Sequence, residues 1–244
     1  MPSAVLIGTF APDFEYFLRL APDRGFGHTP KGILELSFPL AILVLWIFHT
    51  FVKVPVTGLL PNGIRHRLRT HLGRFSFRGT KRFVWIGVSV LLGIGTHVLW
   101  DSITHPYYWP YRHWALLRQT VQIPAFGTVR YFKLFQHGST VIGITILVFW
   151  IIHWYQSTEP AADLESLPSQ RERIAVMSVM ASVAVIGGIA RAAIGGGITE
   201  HFPSAKFAGE VIVTTIALAW WQLVIYGVIV TLKVLRSRND GLVG

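Results

Sequence analysis

Apolar residues fall into five long runs, approximately Ile33–Val52, Phe83–Trp100, Gly138–Tyr155, Ile174–Ala190 and Phe207–Leu232, with charge confined to the stretches between them. An α-helix needs about 20 such residues to cross a hydrocarbon core. The pattern therefore predicts an all-α polytopic transmembrane bundle of about five helices with short interfacial helices, in a single membrane-embedded domain over residues 1–244. The last run is long enough to tilt or to project from the bilayer. A sixth apolar stretch, Ser3–Phe10, is too short to span and is cut off by Pro12 and Asp13. It reads either as the tail of a helix whose beginning lies upstream of Met1 or as an interfacial segment.

Composition agrees with the pattern. Hydrophobic residues make up 52% of the chain, charged residues 14%, and the mean hydropathy is +0.49; a soluble domain carries about 25% charged residues. The formal net charge of +10 does not point to nucleic acid, because the cations are concentrated between apolar spans. The stretch from Lys53 to Arg82 holds Lys53, Arg65, Arg67, Arg69, Arg74, Arg78, Lys81 and Arg82 with no acidic residue, which predicts a cytoplasmic loop by the positive-inside rule. Alternation of the spans then puts residues 1–32, 101–137 and 191–206 outside, in a multi-pass protein of the inner (cytoplasmic) membrane whose partner is the lipid bilayer. The stretch 101–137 is rich in Trp and Tyr, which favour the headgroup region. Absence of cysteine excludes disulfides, thiolate metal sites and a cysteine nucleophile.

The polar residues at the outer end of the spans carry the candidate chemistry. His97, Asp101 and His105 stand at i, i+4 and i+8, so they project within about 80° on one helical face. In a regular helix His97 and His105 are about 12 Å apart and do not share an ion. His97 with Asp101, or Asp101 with His105, would each form half of a metal site, and Pro106 disfavours helical geometry at His105. Imidazole plus carboxylate suits zinc, iron or manganese. The alternative is a helix end where His and Asp meet water and headgroups.

Further candidates come from separate segments. Asp13 and Glu15 follow Pro12 and lie about 200° apart in a regular helix, so at most one faces a given site; Asp13 is the choice. His28 sits between glycine and threonine in Arg24-Gly-Phe-Gly-His-Thr, and His137 immediately precedes the third span in Gln136-His-Gly-Ser-Thr140. Arg191, at the end of an apolar helix, fits snorkelling to headgroups better than a phosphate clamp. Gly187, Gly188 and Gly195 suit close helix packing.

The segments Ala11-Pro-Asp-Phe-Glu-Tyr-Phe, Gly27-His-Thr, Gly95-Thr-His-Val-Leu-Trp-Asp-Ser-Ile-Thr-His and Gln136-His-Gly-Ser resemble an uncharacterised bacterial integral-membrane family known only as a domain of unknown function. The Pro-Asp turn, the His-Thr loop and the helical His-x-x-x-Asp are also similar to inner-membrane proteins described as metal-dependent hydrolases, and more distantly to helical zinc-dependent phospholipases C. That resemblance covers residues 8–140 and implies Asp13, His28, His97 and Asp101 as ligands of a divalent metal ion, zinc for preference. The related families begin with a further segment carrying Ser-His-Pro, which is absent here, so coding sequence before Met1 that completes a sixth helix is an expectation.

Two functions follow. One is a membrane-embedded metal-dependent hydrolase acting on a phosphoester or lipid at the outer face, with His105 or His137 as general base or acid. The other is a non-catalytic membrane protein that binds lipid or a partner, in which the same cluster ties segments together by hydrogen bonds.

Overall fold

The computed structural model describes residues 1–22, 25–73, 75–106, 108–124, 127–161, 169–194 and 205–240; Arg24, Arg74 and Gly195 lie outside the described residues. Five helices are long and apolar enough to cross a membrane, and each contains one of the expected runs and extends past it. In chain order the elements are α1 (Pro2–Phe10), α2 (Phe14–Arg19), α3 (Pro30–Leu59), α4 (Asn62–Leu68), α5 (Thr80–Thr104), α6 (Trp109–His113), α7 (Ala115–Arg118), β1 (Thr120–Ile123), β2 (Gly127–Arg130), α8 (Tyr131–Ser157), α9 (Gln170–Ile194) and α10 (Ala205–Asp240). The chain is an all-α polytopic bundle.

α3 is continuous but widened twice, by π turns at Ile33–Ser37 and Phe48–Val52. Pro39 and Pro55 explain both. A proline ring clashes with the carbonyl four residues earlier, here those of Glu35 and Phe51, and an inserted π turn relieves the clash without ending the helix. At the second turn the Phe51 carbonyl approaches Gly227 of α10 so closely that a Cβ on Gly227 would overlap it.

The core sits between α1, α3 and α5, where Ala4, Ala11, Ala41, Leu45, Ile86, Val90 and Ile94 form one buried cluster. α1 is therefore no interfacial segment; it lies against the middle of a span. It runs parallel to α5 in a constant register, with the Met1 amine on Ser89 Oγ and the Thr9 carbonyl on His97. Glycine permits the contact: a Cβ on Gly93 would stand 2.2 Å from the Val5 carbonyl oxygen, and one on Gly8 would stand 2.3 Å from that of Val90. Neither backbone can yield, so both positions need a residue without a side chain.

Two stretches read as loops from sequence contain structure. The basic stretch continues α3 to Leu59 and adds α4, and the aromatic stretch holds an antiparallel hairpin pairing Thr120 with Arg130 and Ile123 with Gly127. Four-residue strands give little hydrophobic signal, and the surrounding aromatic content masked the alternation of Val121, Ile123 and Val129. α8 buries almost nothing within the chain.

Candidate metal centre

Residues 11–13 form a 3₁₀ turn between α1 and α2, and this turn separates the two acidic residues. Asp13 faces the histidines. Glu15 turns the other way, where its buried carboxylate accepts hydrogen bonds from Arg19 Nε (2.8 Å) and from the backbone N–H of Gly27 (2.9 Å). Burial raises the Glu15 pKa, but the Gly27 amide and the Arg19 guanidinium outweigh it and hold the carboxyl below its usual range.

That bond fixes the short 3₁₀ turn Phe26–His28, which is held from the other side by Ser37 Oγ donating to the Gly27 carbonyl (2.9 Å). A side chain at Gly27 would meet the Pro12 carbonyl oxygen at 2.8 Å. Thr29 then caps α3, accepting from Gly32 N–H (2.9 Å), with Pro30 in the first turn. His28 is thereby presented inward, its side chain only 6% exposed, stacked on Tyr16.

α5 supplies the remaining groups. His97 Nε2 lies 3.4 Å from Asp101 Oδ2 and 3.8 Å from Asp13 Oδ1; His28 Nε2 lies 3.3 Å from Asp13 Oδ1 and 3.7 Å from Asp101 Oδ2. Asp13, His28 and His97 form the compact set, one ligand atom from each within 4.8 Å of the others. Asp101 touches both histidines without joining that set. Its second oxygen, Oδ1, faces His105 Nδ1 at 3.6 Å.

The tautomer of His97 follows from its surroundings. Nδ1 lies 2.8 Å from the Thr9 carbonyl, which can only accept, so Nδ1 carries the proton and the neutral ring turns a lone pair at Nε2 toward the two carboxylates. Among the described residues, His97 Nε2 and both ring nitrogens of His28 are buried without a hydrogen-bond partner. His97 Nε2 and the two carboxylates are acceptors facing one another, an arrangement stable only with positive charge among them, supplied by protonation of the rings or by a cation. Zinc–nitrogen and zinc–oxygen bonds of about 2.0–2.2 Å in a tetrahedron separate neighbouring ligand atoms by about 3.3–3.6 Å, which the His28–Asp13 and His97–Asp101 pairs match at 3.3 and 3.4 Å while the His28–Asp101 and His97–Asp13 separations are wider.

A match to one family model extends over residues 1–228 and covers the whole of this arrangement. The chain belongs to the DUF4184 family, a domain of unknown function. No curated protein and no solved structure matches it.

The DUF4184 arrangement distributes the other expected residues as follows. α5 ends at Thr104, and His105 before Pro106 is extended, as that proline requires. His105 Nε2 is 3.4 Å from Gln136 Nε2, and its Nδ1 is 3.2 Å from Thr104 Oγ1, which itself donates to the Trp100 carbonyl (3.0 Å). His137 is exposed on α8; its neighbour Gln136 makes the contact instead. Thr9, Tyr16 and Gln136 are site neighbours that sequence inspection missed. Thr9 acts through a backbone carbonyl, which leaves no mark on residue identity, and Gln136 stands beside the expected His137 in the chain.

Proposed function

We propose that this chain is a membrane-embedded metal-dependent hydrolase in which Asp13, His28, His97 and Asp101 hold a divalent ion, zinc being the best match to two imidazoles and two carboxylates. The supporting observation is the convergence of unpartnered buried imidazole nitrogens on two carboxylates, with His97 Nδ1 already spent on Thr9. When bound, such an ion supplies the Lewis acidity that brings a water's pKa toward neutrality.

His105 is the group suited to move the proton. Thr104 Oγ1 donates to Trp100 and so accepts from His105 Nδ1–H, which leaves Nε2 as the basic nitrogen; it accepts from the Gln136 amide and must give up that bond to take a proton. Asp101 Oδ1 stabilises the imidazolium that results. His137, exposed on α8, is the second candidate for acid or base. A phosphoester or lipid headgroup is the substrate class that fits.

We assign this chain's site to the outer face of the inner membrane, because the basic stretch 53–82 precedes α5 and the His/Asp group closes its other end. Thr70→Cys should resist an impermeant thiol reagent in intact cells and Thr120→Cys should react; the reverse pattern inverts the assignment. Elemental analysis of detergent-purified full chain tests the ion. Stoichiometric zinc that survives Trp100→Phe but not Asp101→Ala is expected, and a metal-free protein removes the hydrolase.

One observation favours the alternative, a non-catalytic protein in which the cluster is structural: both histidines already lie within 4 Å of both carboxylates and would pair with them when protonated. A folded, zinc-free protein whose stability falls on Asp101→Ala supports that reading.

A further inference from the structure

Between Ser102 and Gln136 the chain carries Arg112, Arg118, Arg130 and Lys133 and no acidic residue. On the assigned topology these cations lie outside, where the positive-inside rule leaves few. One of them is tied to the His/Asp group. Lys133 and Gln136 stand at i and i+3 on α8, and Lys133 Nζ donates to Gln136 Oε1 (3.0 Å). An ammonium can only donate, so this bond turns the amide nitrogen toward His105 Nε2 (3.4 Å). Beyond it, His105 Nδ1 faces Asp101 Oδ1 at 3.6 Å. The Lys133 charge thus stands two hydrogen bonds from His105.

The turn that carries both side chains is fixed. Ser139 Oγ and Thr140 Oγ1 donate to the Gln136 carbonyl (3.0 and 2.9 Å), and Trp100 Nε1 of α5 donates to Ser139 Oγ (3.2 Å). Neither donor is exhausted: an ammonium offers three hydrogens and an amide two, and each spends one on these bonds. Lys133 Nζ lies 5.6 Å from the Phe132 ring, at the edge of cation–π range, and among the described residues no carboxylate pairs with it.

The His/Asp group lacks such donors. Its two carboxylates balance a divalent ion, so an oxyanion that arrives there finds no net positive charge, and an unpaired anion in a half-buried site is costly. Charge-assisted bonds from an ammonium and an amide supply what is missing. We propose that Lys133 and the Gln136 amide form an anion subsite beside the His/Asp group that receives a phosphate-type oxyanion. Its role in a reaction rests on the hydrolase reading; its existence does not.

The full chain in phosphatidylcholine nanodiscs, loaded with zinc, tests this by equilibrium dialysis against radiolabelled inorganic phosphate, with zinc measured on the same sample. Lys133→Met should weaken phosphate binding about 10–100-fold, the worth of a charged hydrogen bond, with zinc retained. Lys133→Arg should restore most of it, and Arg118→Met, at an exposed cation of α7, should leave it unchanged. No phosphate binding by the unaltered chain, affinity indifferent to Lys133→Met, or an equal loss in Arg118→Met overturns the subsite and leaves the metal assignment standing. Lys133-dependent binding in a zinc-free protein supports the subsite and removes the hydrolysis alone. Phosphatidylglycerol added to the discs separates the two sources of the anion: competition with phosphate assigns the subsite to a lipid headgroup, and indifference assigns it to a soluble phosphate.

Discussion

The bundle contains two helix pairs built by the same device and put to different uses. In one, α1 lies on α5 through Gly8 and Gly93; in the other, α9 lies on α10 through Gly188, where a Cβ would stand 2.3 Å from Thr215 Oγ1 and 2.9 Å from the Val211 carbonyl oxygen. Both exploit small residues to let backbones approach where apolar burial gives no drive in lipid. Only the first pair turns the approach into chemistry. Its closeness delivers the Thr9 carbonyl to His97 Nδ1 and so sets the tautomer of a candidate ligand. The second ends on Glu210, a buried carboxylate whose Oε2 has no hydrogen-bond partner among the described residues. Close packing is thus a means of support in both pairs and an orienting device in one.

The largest break in that comparison is expected from His97→Ala, which removes one of only three or four ligands. Stoichiometric zinc should fall to background by elemental analysis while the protein still elutes as a folded species. Zinc retained at full occupancy would place the ion elsewhere.

Gly93→Leu separates the two pairs more finely. Its side chain must push α1 away, so the Thr9 bond is lost along with packing. Overpacking costs about 1–3 kcal/mol, and loss of an orienting partner typically weakens metal binding about 10–100-fold. Competition with a zinc chelator reads the second effect. Gly188→Leu should lose comparable stability, about 1–3 kcal/mol by overpacking, with unaltered zinc affinity in the same competition. Equal zinc loss in both variants would mean that α1 has no special role.

Glu15→Gln should be milder, since the amide oxygen can still accept from Gly27, and a cost of about 1 kcal/mol is expected for weakening a charged bond. The sign of its pH dependence follows from the depressed pKa. Glu15 stabilises the native turn fully above the unfolded carboxylate value near 4.3, and that contribution is lost as pH falls through the lower folded value. The gap between wild type and Glu15→Gln in thermal melts should therefore narrow toward acid pH. His137→Ala, on the exposed face of α8, should change neither zinc nor melting; a clear loss of zinc would bring His137 into the site.

All five spans were legible from hydropathy, because a bilayer imposes a length and a polarity on every crossing. The i, i+4 spacing of His97 and Asp101 was legible for the same kind of reason, one helix being its own ruler. Helical angle indicated that Asp13 and Glu15 do not both face one site, and the 3₁₀ turn of residues 11–13 decided that Asp13 is the one beside the histidines. The Thr120–Arg130 hairpin and the π turns of α3 were not legible: the first has two four-residue strands whose apolar face is only Val121, Ile123 and Val129, and the second is a response of one backbone to its prolines.

The chain by itself determined that it must live in a membrane, where its crossings fall, and which residue types are available for a site, since these depend on composition and on contacts a few residues apart. Only the tertiary structure decided which of those residues meet. His28 reaches Asp13 through Glu15 and Gly27, and His97 is oriented by a carbonyl 88 positions earlier in the chain. Contacts of that range depend on how helices pack. Packing in turn depends on where a backbone can approach another to within a missing side chain, which no local pattern encodes.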